Sequence, residues 1–224
     1  ETPQSDMWGW YLEDTDDIVA AVLHYATEMV PAHGLDPVRD LQILAPGHRG
    51  RTGVANLNRV LQEKLNPEDP FKPQLPHGDR VFRLGDRVIQ TANSYEQEVF
   101  NGDIGFVSAI SGNGKERIVH VEMAGREVPY RASDLNDLQL AYAITIHKSQ
   151  GSEFPAVGVA MTFEHYIMLR RNLLYTAITR ARSLCCLLGT QKAVRMAVRQ
   201  DGARRLTSLG ERLAGLIFAQ RFAA

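Results

Sequence analysis

The amino-acid sequence predicts an α/β lobe interrupted by a small all-β barrel. Three observations carry this expectation. Helix, strand and helix alternate between about residues 16 and 65. Between about residues 82 and 130 the pattern changes to short strands separated by turn residues. From about residue 140 apolar strands and helices alternate again, which marks the β-rich stretch as an insertion.

Taken in order, the chain opens on Glu1 rather than methionine and runs into a strand-like stretch, Met7 to Leu12, so a piece of a longer protein is expected. Residues 16–30 predict a helix: Ile18, Val22, Tyr25 and Met29 recur at three- and four-residue spacing, Asp16 or Asp17 caps the start, and Pro31 with His33-Gly34 ends it. Leu41 to Ala45 is a buried strand closed by Pro46-Gly47. Val54 to Leu65 is a second helix, with Val54, Leu57, Val60, Leu61 and Leu65 on one face. Pro67, Pro70, Pro73 and Pro76 with Gly78 mark residues 66–80 as a linker. Arg87–Gln90, Ile104–Val107, Arg117–Val121 and Glu127–Tyr130 are short strands. Gly85-Asp86, Asn101-Gly102, Gly112-Asn113-Gly114 and Ala124-Gly125 supply the turns, so a barrel of the SH3 kind follows. Leu140 to Ser149 reads as a strand end running into a helix, Val157–Met161 as a buried strand, and Glu164 to Ala181 as a helix. Leu184–Leu188 is another buried strand, and helices at about 191–200 and 203–221 finish the chain.

Composition bounds the function. With 224 residues, 44% of them hydrophobic, the chain holds one good core plus a small second module. No apolar run reaches the roughly 20 residues needed to span a bilayer, and the polar, acidic start shows no signal peptide. The two cysteines are the neighbours Cys185 and Cys186; adjacent strand residues point to opposite faces, so both are expected reduced in the core, which suits the bacterial cytoplasm. No spacing of Cys and His suggests a metal site. The net charge of −1 hides an asymmetry. Residues 1–40 carry nine acids and one base, whereas residues 170–212 carry ten bases and two acids. Such a basic end either faces a phosphate chain or forms solvated helix faces.

Two segments carry chemistry. Thr145, His147, Lys148, Ser149, Gln150, Gly151 and Glu153 crowd polar groups beside an apolar strand. A core has no use for so many of them, whereas a glycine among short donors lets backbone N–H groups approach phosphate oxygens. The bland alternative is a polar surface turn. The second segment, Asn172 to Arg182, is an amphipathic helix with a basic end. Arg180 there either compensates the helix dipole or neutralises a transferring phosphoryl group.

Together these segments resemble known motifs. Thr145-Ile146-His147-Lys148-Ser149-Gln150-Gly151-Ser152-Glu153-Phe154 is similar to motif V of superfamily 1 helicases, and Leu174-Tyr175-Thr176-Ala177-Ile178-Thr179-Arg180-Ala181-Arg182 to motif VI. Leu44 to Gly50, with Gly53 and Leu57-Asn58, resembles motif IV of the RecD-like subgroup, superfamily 1B. Gly85 to Gln90 and Glu98 to Gly105 resemble the SH3-like insertion of that subgroup.

The resemblance implies a RecA-like motor domain of the phosphate-loop NTPase type, its second lobe, which itself has no phosphate loop. It assigns residues 1–80 and 136–224 to motor domain 2A and residues 81–135 to the SH3-like domain 2B. The activity implied is that of an ATP-dependent 5′-to-3′ DNA helicase on single-stranded DNA, with ATP and Mg²⁺ held mainly by an N-terminal RecA-like domain upstream. Other repair or recombination proteins are further expected partners, and no membrane is involved.

Residue by residue, the resemblance makes Arg180 the motif VI arginine on the γ-phosphate and Arg49, or its neighbour Arg51, the motif IV arginine doing similar work. Gln150, Gly151 and Glu153 face the nucleotide. Thr145, His147, Lys148 and Ser149 face the single-strand backbone. Tyr175 packs beside the nucleotide or in the core, and Asn101 and Asp103 are turn residues. The sequence contains no Gly-x-x-x-x-Gly-Lys-Ser/Thr. Two other readings stand beside this one: a binding module that kept the fold and lost the motor, and a superfamily 1 motor of 3′-to-5′ polarity.

Overall fold

The computed structural model describes residues 7–113 and 116–200. Its first layer is a parallel sheet of β1 (Met7–Tyr11), β2 (Leu41–Ala45), β10 (Ala143–Thr145), β11 (Phe154–Met161) and β12 (Ala181–Gly189), in the order β1-β12-β11-β2-β10. Both faces are covered. Helix α1 (Thr15–His24) and helix α2 (Val54–Leu65) pack with Ile43, Ala156, Ala160 and Cys186 on one face. Helix α3 (Arg171–Ile178) and helix α4 (Gln191–Arg199) pack with Leu44, Val157, Val159 and Cys185 on the other. The two thiols thus lie on opposite faces of β12, and burial pushes them up to about 11 and about 12. Strand β10 is an edge, and the Asn58 amide on α2 covers it: its nitrogen donates to the Ala143 carbonyl at 2.8 Å and its oxygen accepts from the Ala143 N–H at 2.9 Å.

The second layer is antiparallel: β5 (Arg87–Gln90), β6 (Ile104–Ser111), β7 (Ile118–Met123), β8 (Arg126–Tyr130) and β9 (Leu138–Leu140), in the order β8-β7-β6-β5-β9. Its interior residues Val88, Val107, Val121, Tyr130 and Leu138 join the same core as α1 and α2, so barrel and lobe share packed side chains. Asn101 and Asp103 are turn residues here, with Asp103 accepting from the Phe100 N–H at 2.8 Å.

Four expected elements differ. Residues 66–80 are not a bare linker, because β3 (Gln74–His77) and β4 (Arg80–Arg83) pair as a hairpin; Pro76 is tolerated on an exposed position of a two-stranded ribbon. No helix forms within Leu140 to Ser149. β10 ends in tight turns closed by the Thr145 and Ser149 hydroxyls, on the Lys148 N–H and the Ile146 carbonyl respectively. The helix expected over Glu164 to Ala181 is broken: a 3₁₀ segment, Phe163–Met168, precedes a buried, extended Leu169, and α3 starts only at Arg171. After α1 the first helix widens into a π turn, Tyr25–Met29, before Val30–Ala32. The helix expected at 203–221 lies outside the described residues.

Candidate functional site

All five strands of the sheet run parallel, so the loops that follow them leave from one edge and the residues that enter them lie at the other. Residues 46–53, 146–148 and 162–168 belong to the first edge. Ser152, Glu153 and Arg180 belong to the second, because Phe154 and Ala181 are partners at the start of β11 and β12. The connection 146–153 crosses from one edge to the other, so its first half and its second half face different surroundings.

At the entering edge, Arg180 is half-buried and anchored on backbone. Its Nε donates to the Thr176 carbonyl at 3.1 Å, one Nη to the Ser152 carbonyl at 3.0 Å and the other to the Thr179 hydroxyl at 3.2 Å. A guanidinium has five N–H donors, so this anchoring leaves donors for an anion. The Arg180 carbonyl accepts from the Phe154 N–H at 2.8 Å, which ties helix end and loop end together. Gly151 has φ +87, and a Cβ added there would meet nothing within 4 Å, so glycine is required by conformation rather than by space. Glu153 pairs with Arg182 at 3.2 Å, both exposed. Gln150 is exposed in the same loop. Tyr175 is 70% exposed, which takes it out of the core. Cations, backbone donors and one carboxylate fit a phosphate with an attached ribose.

At the leaving edge, Lys148 and His48 are close. Burial and then the Lys148 charge hold the His48 imidazole below its ordinary 6.5, and burial lowers Lys148 itself. His147 is exposed, whereas Thr145 and Ser149 are buried; the Thr145 hydroxyl accepts from the Lys148 N–H and keeps its own proton to donate, and the Ser149 hydroxyl donates to the Ile146 carbonyl. Both hydroxyls close the turn, His147 is exposed on it and Lys148 is half-buried. In the Lys148→Ala variant the His48 pKa is expected to move up toward 6.5 by NMR titration; no movement would leave burial as the whole cause.

Arg49 and Arg180 lie at opposite ends of the strands. Arg49 follows β2 at the leaving edge, where its carbonyl accepts from His165 Nε2 at 2.8 Å. Strand β11, Phe154–Met161, separates that level from Arg180, a distance of roughly 23 Å at about 3.3 Å per residue. Arg49 shares its edge with His48 and Lys148. Its neighbour Arg51 is held by Asp16, Nε to carboxylate at 2.7 Å, while the Arg49 side chain makes no ion pair among the described residues.

Sequence reasoning did not reach Glu164 or Thr52. The Glu164 carboxylate accepts from the Thr52 hydroxyl and from two backbone N–H groups of the 46–53 loop. Burial pushes its pKa up, but these bonds outweigh burial and hold it below the ordinary value. A separation of 112 residues leaves no local signal for such a contact.

Comparison with known proteins agrees with this architecture. The family model for the SH3 domain of ATP-dependent RecD-like DNA helicases matches residues 57–123, and that for the UvrD-like helicase C-terminal domain matches residues 140–188. The chain is 38% identical over 173 residues to the ATP-dependent RecD2 DNA helicase of Deinococcus radiodurans, covering 77% of this chain and 23% of that protein. It is 37% identical over 175 residues to the RecD subunit of the RecBCD enzyme of Mycobacterium tuberculosis, covering 75% and 29%. The chain thus spans about a quarter of the length of these relatives.

Two solved structures share the fold. The Bacteroides Pif1 helicase in complex with ADP-AlF3 and single-stranded DNA has TM-score 0.53 at 17% identity, over 85% of this chain and 52% of that one. The Candida albicans Pif1 helicase has TM-score 0.51 at 18% identity, over 89% and 54%. A parallel lobe with an antiparallel insert is therefore a RecA-like lobe carrying an SH3-like barrel, and the chain belongs to the RecD-like superfamily 1 DNA helicases, as their C-terminal part.

Proposed function

We propose that this chain is the C-terminal motor half of an ATP-dependent DNA helicase that moves 5′ to 3′ on single-stranded DNA. The observation that carries the proposal is the anchored guanidinium of Arg180, with donors to spare, beside Gly151 and Glu153. In this reading Arg180 reaches the γ-phosphate of ATP bound by an upstream RecA-like lobe, and Gln150, Gly151 and Glu153 line the same cleft. ATP with Mg²⁺ supplies the phosphoanhydride whose cleavage drives the cycle. Arg180 stabilises charge only when the two lobes close, because its anchors belong to this lobe alone.

The opposite edge grips the DNA backbone through His147, Lys148, His48 and Arg49. Phosphate contacts of this kind are sequence-independent and salt-sensitive. The 146–153 connection then joins the two surfaces in one short stretch of chain, which supports coupling of the nucleotide state to grip. We assign residues 1–80 and 136–224 to the motor lobe and 81–135 to the barrel, with β9 returning to complete the barrel sheet. Polarity rests on the insertion, which is short and β-rich here. Recombination proteins are further proposed partners, in line with the RecBCD subunit names of several relatives.

The chain of 224 residues is expected to show no magnesium-dependent ATP hydrolysis by itself, and the intact protein with its upstream lobe to hydrolyse ATP faster when oligothymidine is added. Turnover by the purified chain, or an intact protein indifferent to the oligonucleotide, would overturn the proposal.

A further inference from the structure

The loop at 46–53 offers His48 and Arg49 to solvent while its backbone is held from behind. Glu164, in the segment after β11, accepts the Arg51 N–H at 2.9 Å, the Thr52 N–H at 2.8 Å and the Thr52 hydroxyl at 2.6 Å. That hydroxyl lies 2.7 Å from the Thr162 hydroxyl. The next residue, His165, donates from Nε2 to the Arg49 carbonyl at 2.8 Å. Asp16 holds the Arg51 guanidinium. The loop is shaped around these groups: Gly50 has φ +94 and a Cβ there would meet the Glu164 carboxylate at 2.8 Å, while one on Gly47 would meet the His165 ring at 2.5 Å.

Every anchor takes backbone, the Thr52 hydroxyl or the Arg51 side chain, and none takes the side chains of His48 or Arg49. An arginine on a loop fixed in this way loses less conformational entropy on binding a phosphate than one on a free loop. We propose that Glu164 is a positioning residue for nucleic-acid binding: its carboxylate sets the 46–53 loop so that Arg49 stands with Lys148 at the leaving edge, facing a single-strand phosphate. This deepens the assignment of that edge to DNA and rests on it.

The test uses the intact protein and a fluorescent oligothymidine, with affinity measured against salt. Each lost phosphate contact makes the logarithmic salt slope shallower by about 0.7 on a single strand. Arg49→Ala is expected to show this change. Glu164→Ala is expected to show the same change with Arg49 present, and the double variant to be no shallower than either single one. Glu164→Gln keeps one acceptor oxygen but turns an amide N–H₂ toward the loop donors, so its slope falls between wild type and Glu164→Ala, and it serves if the alanine variant does not fold. Amide exchange at Arg51 and Thr52 is expected to speed up in both Glu164 variants. Additive losses in the double variant, or an unchanged slope in Glu164→Ala or Glu164→Gln while Arg49→Ala loses its contact, would overturn the positioning role alone. An unchanged slope in Arg49→Ala and Lys148→Ala would remove the DNA assignment of the edge, and the positioning role with it.

Discussion

Replacing Arg180 with alanine in the intact protein is expected to lower ATP turnover by about 10³-fold or more. Single-strand affinity is expected to stay within about threefold, because the grip is a sum of phosphate contacts made elsewhere. The expected split follows from position. The guanidinium is fixed on the Thr176 and Ser152 carbonyls at the entering edge, and the proposed DNA contacts stand at the other end of the strands. Lysine is not expected to rescue: a point charge on a flexible stem cannot keep two backbone anchors and present a planar fork at the same time. Turnover near the wild-type rate in Arg180→Ala would remove the arginine from the mechanism. A loss of DNA affinity in step with turnover would show instead that the change had loosened the lobe.

Most of the lobe was legible because its signals are local. Val54 to Leu65 has one apolar face and is a helix over those residues, and Leu41 to Ala45 is a short apolar run and a buried strand. The order of the strands is not local, and it decides which loops share an edge. The resemblance groups Arg49 with Arg180, and the parallel register puts their backbones at opposite ends of β11. The helix expected over Glu164 to Ala181 has the right periodicity. It breaks because Glu164 and His165 are drawn to the 46–53 loop and Leu169 is buried in extended form. Around Thr145 and Ser149 the hydroxyls bond nearby backbone, which favours turns over the helix expected at the end of Leu140 to Ser149.

The second large effect is on stability. Asp86, fully buried, lies where barrel, hairpin and lobe meet. One carboxylate oxygen accepts from the Arg83 N–H at 2.7 Å and Gln62 Nε2 at 2.6 Å, and the other from Asn66 Nδ2 at 2.7 Å and the Tyr142 hydroxyl at 2.8 Å. Asp86→Ala leaves these donors facing a cavity too enclosed for full hydration, at a cost of about 3–5 kcal/mol, or roughly 10 °C in Tm for a chain of this size. The next residue, Arg87, makes the junction still less tolerant. Its Nη1 reaches the carbonyls of Val38, Arg39 and Leu41 at 2.8 to 3.0 Å, and burial pushes it down to about 10. The barrel is therefore expected to melt with the lobe as one unit in the wild type, and Asp86→Ala to split or lower that transition.

A loss below about 1 kcal/mol would mean that water replaces the carboxylate and that the network is no bolt. The pH dependence gives an independent check. Burial lifts the Asp86 carboxyl above its ordinary value, and the four donors only partly offset it. The folded state then holds the proton more tightly than the unfolded one. The pH-dependent part of the wild type's advantage over Asp86→Ala is fully present below about pH 3.9 and is lost as pH rises through the folded pKa. An advantage that grows with pH instead would mean that the four donors outweigh burial and hold the carboxyl below its ordinary value.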